Sequence, residues 1–153
     1  MLSLPVMSRG LSFMLHVLTA RLDRAADRML QAEQGVSYKR FLALTMVGEL
    51  GVSTQRALAD ALGVTEPSVS RMVGVLAAEG LLDVQRSAAG ERGRRLSLTE
   101  AGSALVASVQ SRLEERFAEL VAASDVSYDH YAEQTARMLG TLEQVQAREE
   151  SAT

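Results

Sequence analysis

The apolar positions of this 153-residue chain keep a helical period at both ends and lose it briefly in the middle. Leu11, Met14, Leu15, Leu18, Leu22, Met29 and Leu30 fall on one helical face, which predicts a long amphipathic helix over 4–34 with Gly35 as its stop. Residues 38–49 predict a second helix, with Phe41, Leu42, Leu44 and Met46 available for burial. The stretch "GVST" reads as a short extended connection. Ser53 or Thr54 then caps a short helix that offers Ala57, Leu58, Ala61 and Leu62 at helical spacing. Gly63 turns the chain into "VTEPSVSRMVGVLAAEGLL", residues 64–82. There Thr65 is the natural N-cap, and Pro67 sits in the first turn, where its missing N–H costs little. Val69, Met72, Val73 and Leu76 form the stripe to be buried, and Gly80 ends the helix.

The period then shortens. "LLDVQRS" and "RRLSLT" lean towards β structure on either side of "AAGERG", which predicts a hairpin. Beyond it Thr99 caps a helix starting at Glu100, with Leu105, Val109, Leu113, Phe117 and Leu120 as its stripe. A last helix follows the "SDVSYD" break, striped by Tyr131, Met138, Leu139, Leu142 and Val145. Helix, glycine turn, helix and two-stranded hairpin make a winged helix-turn-helix. The expected fold is mainly α: a single domain over 1–153, with the winged helix-turn-helix at 37–98 and flanking helices at 4–34 and 100–148.

Charge sharpens this picture. The net charge of −3 by itself argues against a polyanion partner, but its distribution does not. Residues 37–98 hold eight basic against six acidic side chains, leaving the two ends with eight basic and thirteen acidic. All the middle region's cations except Lys39 are arginines, whose planar fork suits phosphate and guanine. The chain has no cysteine, which excludes disulfides and thiolate metal sites and fits a reducing, cytoplasmic setting. His16 and His130 lie too far apart in sequence to suggest a metal site. The N-terminal apolar patch is interrupted by His16 and Arg21 and is too short to span a bilayer, so neither a leader nor a membrane partner is expected. No phosphate loop, nucleophile elbow or catalytic carboxylate pair appears, so neither an enzyme nor a cofactor is expected.

The stretch "LADALGVTEPSVSRMVGVLAAEGLL", the arginine-rich hairpin and the exit "LSLTEAG" together resemble the MarR family of bacterial transcriptional regulators. The resemblance covers nearly the whole chain. It implies a homodimer built from the N- and C-terminal helices and bound to a pseudo-palindromic operator. It also implies release from DNA by a small, aromatic or anionic effector held between those helices and the winged domain. One departure stands out. Many relatives carry Asp-x-Arg at the wing tip; Arg92 matches the arginine, but Gly90 takes the aspartate position, with Glu91 beside it.

Such folds lay the second helix in the major groove. Thr65, Pro67, Ser68, Ser70 and Arg71 would lead it there, Arg71 towards guanine or phosphate and the serines towards either. The plainer reading makes Thr65 and Ser68 caps and Arg71 a solvated charge; the complete helix-turn-helix context favours DNA. Arg92, Arg94 and Arg95 would meet phosphate or the minor groove, and either Arg92 or Arg94 is open as the inserted residue. Gln55 and Arg56, opening the preceding helix, would position the protein on phosphates. For an effector, His16 is the polar residue nearest the first apolar stripe, with Tyr38 and Met46 as weaker candidates; a buried, hydrogen-bonded histidine is an equal reading. The expected function is therefore a ligand-responsive, homodimeric repressor that binds double-stranded DNA. The rival is a winged-helix module that binds protein, which would show exposed aromatics or aliphatics where this surface shows hydroxyls and arginines.

Overall fold

In a computed structural model of the chain, residues 10–86 and 94–152 are described. Helix α1 spans Leu11–Gln34, α2 Tyr38–Glu49, α3 Gln55–Leu62 and α4 Glu66–Ala78. Strands β1 (Leu82–Arg86) and β2 (Arg94–Leu98) form an antiparallel hairpin, followed by α5 (Glu100–Ala123) and α6 (Tyr128–Ser151). Winged-helix topology is thus realised on a mainly helical chain. Two compact units emerge, Met1–Gln110 and Ser111–Thr153.

The first unit is organised by helix ends. Thr54 and Thr65 cap α3 and α4 through their hydroxyls, which accept from the amides of Ala57 and Ser68. At the other end of α4, Gly80 takes a left-handed φ of 74° that an L side chain would resist. Its amide donates to the Ala77 carbonyl, and the Leu81 amide reaches back to that of Leu76 at 2.9 Å. This reversal delivers the chain directly into β1. Beneath it, Phe41, Ala43, Leu44, Val47, Leu58, Ala59, Val69, Val73, Leu76, Leu82 and Leu96 form a buried core.

One expectation, that for α3, is corrected, and two others gain detail. Helix α1 begins at Leu11, after Gly10, whose ψ of 165° lies outside the helical range; the anticipated start at Leu4 lies outside the described residues. In α3 the buried pair is Leu58 and Ala59, while Ala57 and Ala61 are exposed, because a two-turn helix has room for only one narrow inward face. The "GVST" connection is more than a linker. Thr54 bridges to Arg95, and the Leu96 amide donates to the Ser53 carbonyl at 2.8 Å, so β2 is paired on both edges.

In the second unit the Tyr128 hydroxyl donates to the Glu114 carboxylate, and Ser127 caps α6 through the His130 amide. Val121 is buried, but α6 has no buried residue among those described. Met138, Leu139, Leu142 and Val145, the anticipated apolar stripe, are all exposed.

Candidate nucleic-acid interface

The leading turn of α4 presents Thr65, Pro67, Ser70 and Arg71 to solvent, with Ser68 half-buried. Its buried side, Val69, Val73 and Leu76, holds the helix to the core and fixes which side faces out. The Thr65 hydroxyl both accepts from the Ser68 amide and donates to the Ser68 hydroxyl at 3.0 Å. Capping and outward presentation therefore coexist: one serine braces the cap while Ser70 and Arg71 remain uncommitted. Arg71 makes no ion pair with another described residue.

The exit from the hairpin explains why "LTEAG" follows it. Thr99 Oγ1 donates to the Gly80 carbonyl at 2.6 Å and accepts from the Gly102 amide at 3.0 Å. The Thr99 amide donates to the Leu81 carbonyl at 3.2 Å. A Cβ on Gly102 would collide with that same carbonyl oxygen. One threonine thus joins the C-terminal end of α4 to the N-terminal end of α5, and the glycine allows them to touch.

The register of the hairpin divides its arginines. Arg94 faces Arg86 and Arg95 faces Gln85, so Arg94 and Arg95 point to opposite sides of the sheet. Arg92, Gly90 and Glu91 lie outside the described residues. Through the Thr54–Arg95 bridge, the N-terminus of α3, with half-buried Gln55 and exposed Arg56, sits beside the wing strand. Arg40 is not free for phosphate. Its guanidinium lies 3.4 Å from the Glu79 carboxylate at the end of α4.

The three effector candidates lie on two helices. His16 is exposed on α1, and Tyr38 and Met46 are half-buried at the two ends of α2. The Tyr38 ring stacks on Phe41 with centroids 6.1 Å apart, and its amide donates to Asp27 at 2.9 Å. Burial, aided by nearby Asp23, raises the Tyr38 phenol above its ordinary pKa. None of the three lines the open groove of about 700 Å³ between the end of α2, the hairpin and the first turns of α5. That groove combines Val47, Leu96, Leu98 and Val106 with one basic side chain, Arg95, and one acidic one, Glu49. Sequence reasoning missed it because it draws on four separate segments. It also passed over Arg86, whose signal was available: pairing "LDVQR" with "RRLSL" end to end sets it against Arg94. No cluster of side chains suited to a metal occurs among the described residues, and none of their helices is long and apolar enough to cross a membrane.

A helix held to the core by Val69, Val73 and Leu76 with a polar leading turn facing out, followed by a hairpin, defines a winged helix-turn-helix. Residues 34–93 match the model of the MarR family. This is the family that the motifs of the helix-turn-helix and the hairpin exit resemble. Wild-type MarR of Escherichia coli in its apo form superposes with a TM-score of 0.71 at 19% identity, over 87% of this chain and 96% of that one. Staphylococcus aureus MepR in complex with DNA gives a TM-score of 0.66 at 22% identity, over 88% and 96%. A MarR family protein of Mycobacterium tuberculosis in complex with salicylic acid gives a TM-score of 0.67 at 22% identity, over 87% and 96%. No curated protein matches the sequence.

Proposed function

We propose that this chain is a homodimeric, double-stranded-DNA-binding repressor whose grip on a pseudo-palindromic operator is relieved by a small anionic effector. The observation that carries the reading is the pairing of an outward Ser70–Arg71 face on α4 with an arginine-bearing hairpin. Thr65, Pro67, Ser68, Ser70 and Arg71 enter the major groove, Gln55 and Arg56 hold phosphates, and the wing arginines 92, 94 and 95 meet the flank. The structural likeness of MepR bound to DNA supports this assignment. Two copies are needed because Leu139, Leu142 and Val145 of α6 expose an apolar stripe that a lone protomer leaves in water. A two-fold dimer in turn matches two half-sites about one helical turn apart.

The effector reading draws on the salicylic acid complex of a structural neighbour and on the groove beside Arg95. That groove supplies one cation, Arg95, and an apolar wall, with the Glu49 side chain also on its lining, and so stands beside His16, Tyr38 and Met46 as a candidate receptor for the ring. Fluorescence anisotropy against the DNA upstream of its own gene, with light scattering for mass, tests the whole. A saturable, sequence-dependent complex of a dimer is expected. Equal affinity for shuffled duplex would remove the operator reading.

A further inference from the structure

The end of the hairpin contains a juxtaposition that folding alone does not favour. Arg86 closes β1 and Arg94 opens β2, and the two are direct cross-strand partners. Such partners hold their Cβ atoms about 4.5–5.5 Å apart, where like charges repel. Both side chains are exposed, and neither is ion-paired with another described residue. The neighbouring rung on the same face is Val84 opposite Leu96, half-buried and buried, so no carboxylate lies next to the pair there. Asp83 stands three rungs away on the other face, opposite Ser97. Two arginines thus share a rung beside an apolar floor, and among the described residues no carboxylate stands on that face of the hairpin to offset their repulsion.

We infer that Arg86 and Arg94 form a clamp for a single phosphate group, and that its ligand is a backbone phosphodiester of duplex DNA. Each guanidinium offers up to five N–H donors in a plane, enough for both to bind the same phosphate in forked fashion. Choosing duplex DNA over a free anion rests on the DNA-binding function proposed above. The hairpin face carrying the pair is the one that sends Leu82 and Leu96 into the core, where β1 packs against α4. Arg95 points to the opposite face, towards the groove at the hairpin's base. The wing arginines therefore approach from two faces: Arg86 and Arg94 share a phosphate on one, and Arg95 reaches the flank from the other. Because a phosphate carries no base identity, the clamp adds affinity without sequence preference.

The test uses full-length wild type, Arg86→Gln and Arg86→Lys in two arms. Without DNA, thermal unfolding is followed in chloride and in inorganic phosphate at equal, low ionic strength. Arg86→Gln is expected to melt above wild type in chloride, because the repulsion is gone, and to lose the extra protection that phosphate gives wild type. Arg86→Lys, which keeps the charge but loses the fork, should fall between them. With an operator duplex, Arg86→Gln should lower the log–log salt slope by about one unit, on specific and random DNA alike. Between 50 and 200 mM salt it should then lose three- to fourfold less affinity than wild type, at roughly that slope change. Phosphate protection unchanged by Arg86→Gln overturns the clamp. Protection lost with an unchanged DNA slope overturns the duplex as its ligand and leaves a free-anion site. If wild type binds no DNA, the proposed function fails, while the phosphate arm still decides whether the clamp exists.

Discussion

The winged region and the last helix use their apolar residues in opposite ways. In α4, Val69, Val73 and Leu76 are all buried within the protomer, and the exposed side carries Ser70 and Arg71, with Val75 as its one large apolar residue left at the margin. In α6, Met138 and Leu142 stay 56% and 53% exposed, and no described residue is buried. The first region completes its own core and can devote its surface to a polar ligand. The second leaves unfinished a stripe that only another apolar surface completes. On the proposed reading, the winged region draws its stability from its own core and its specificity from its surface, whereas α6 is stabilised by a second copy.

The largest effect that would test this contrast is loss of core. Leu76→Ala removes a side chain with 0% exposure and should cost about 2–5 kcal/mol in denaturant unfolding. Leu142→Ala should change protomer stability by less than about 0.5 kcal/mol when measured at concentrations where only monomer is present. Equal losses would mean that α6 is buried within its own chain. The complementary change is Leu142→Glu, which places a charge in the proposed dimer stripe. Light scattering should then report monomer, with circular dichroism of the winged region retained; an intact dimer would move the interface elsewhere.

On the winged side, Arg71→Ala should weaken specific binding by about 1–3 kcal/mol and narrow the gap to random DNA. Equal weakening on both duplexes would make Arg71 a phosphate contact. Thr99→Val keeps the shape but removes the hydroxyl that spans α4 and α5, and should cost about 1 kcal/mol, the usual worth of a helix cap. Thr99→Ser should recover most of it. If valine is neutral, the two helix ends are held by packing and by the Thr99 amide alone.

These contrasts also explain what the sequence could reveal. Thr65, Thr99 and Gly80 act through bonds to residues a few positions away or at a helix end, so their types and spacing announce them. The stripe of α4 was legible for the same reason: helical periodicity is local. Long-range register is different. Strand alternation puts Arg94 and Arg95 on opposite sides once the bounds of β2 are known, but that Thr54 bridges to β2 follows from pairing between distant segments. Ala57 and Ala61 fitted a helical stripe in sequence, yet only the neighbouring helices decide which side of α3 is covered. The effector candidates were chosen from α1 and α2 alone, whereas the groove draws its lining from four segments, which helical periodicity does not bring together.

The smallest expected effect separates the two regions by the physics of one group type. Tyr38 and Tyr128 both hold their phenols above the ordinary value of 10.0, but for different reasons. Tyr38 does so mainly through burial, with Asp23 assisting; Tyr128 does so first through its hydrogen bond to Glu114. In each case the folded state retains a proton that the unfolded chain releases near pH 10. Their contribution is therefore fully present below that pH and is lost as pH rises through the higher folded value. Tyr38→Phe should flatten part of the alkaline fall in stability at any salt concentration, because burial is not screened. Tyr128→Phe should matter less, since that phenol is fully exposed, and the carboxylate's charge acts on it through water and salt. Unfolding curves from pH 8 to 11 at low and high salt check both. A strong, salt-independent effect of Tyr128→Phe would mean that α6 is covered even in the species being unfolded, and that its exposed stripe is not the surface left open for a partner.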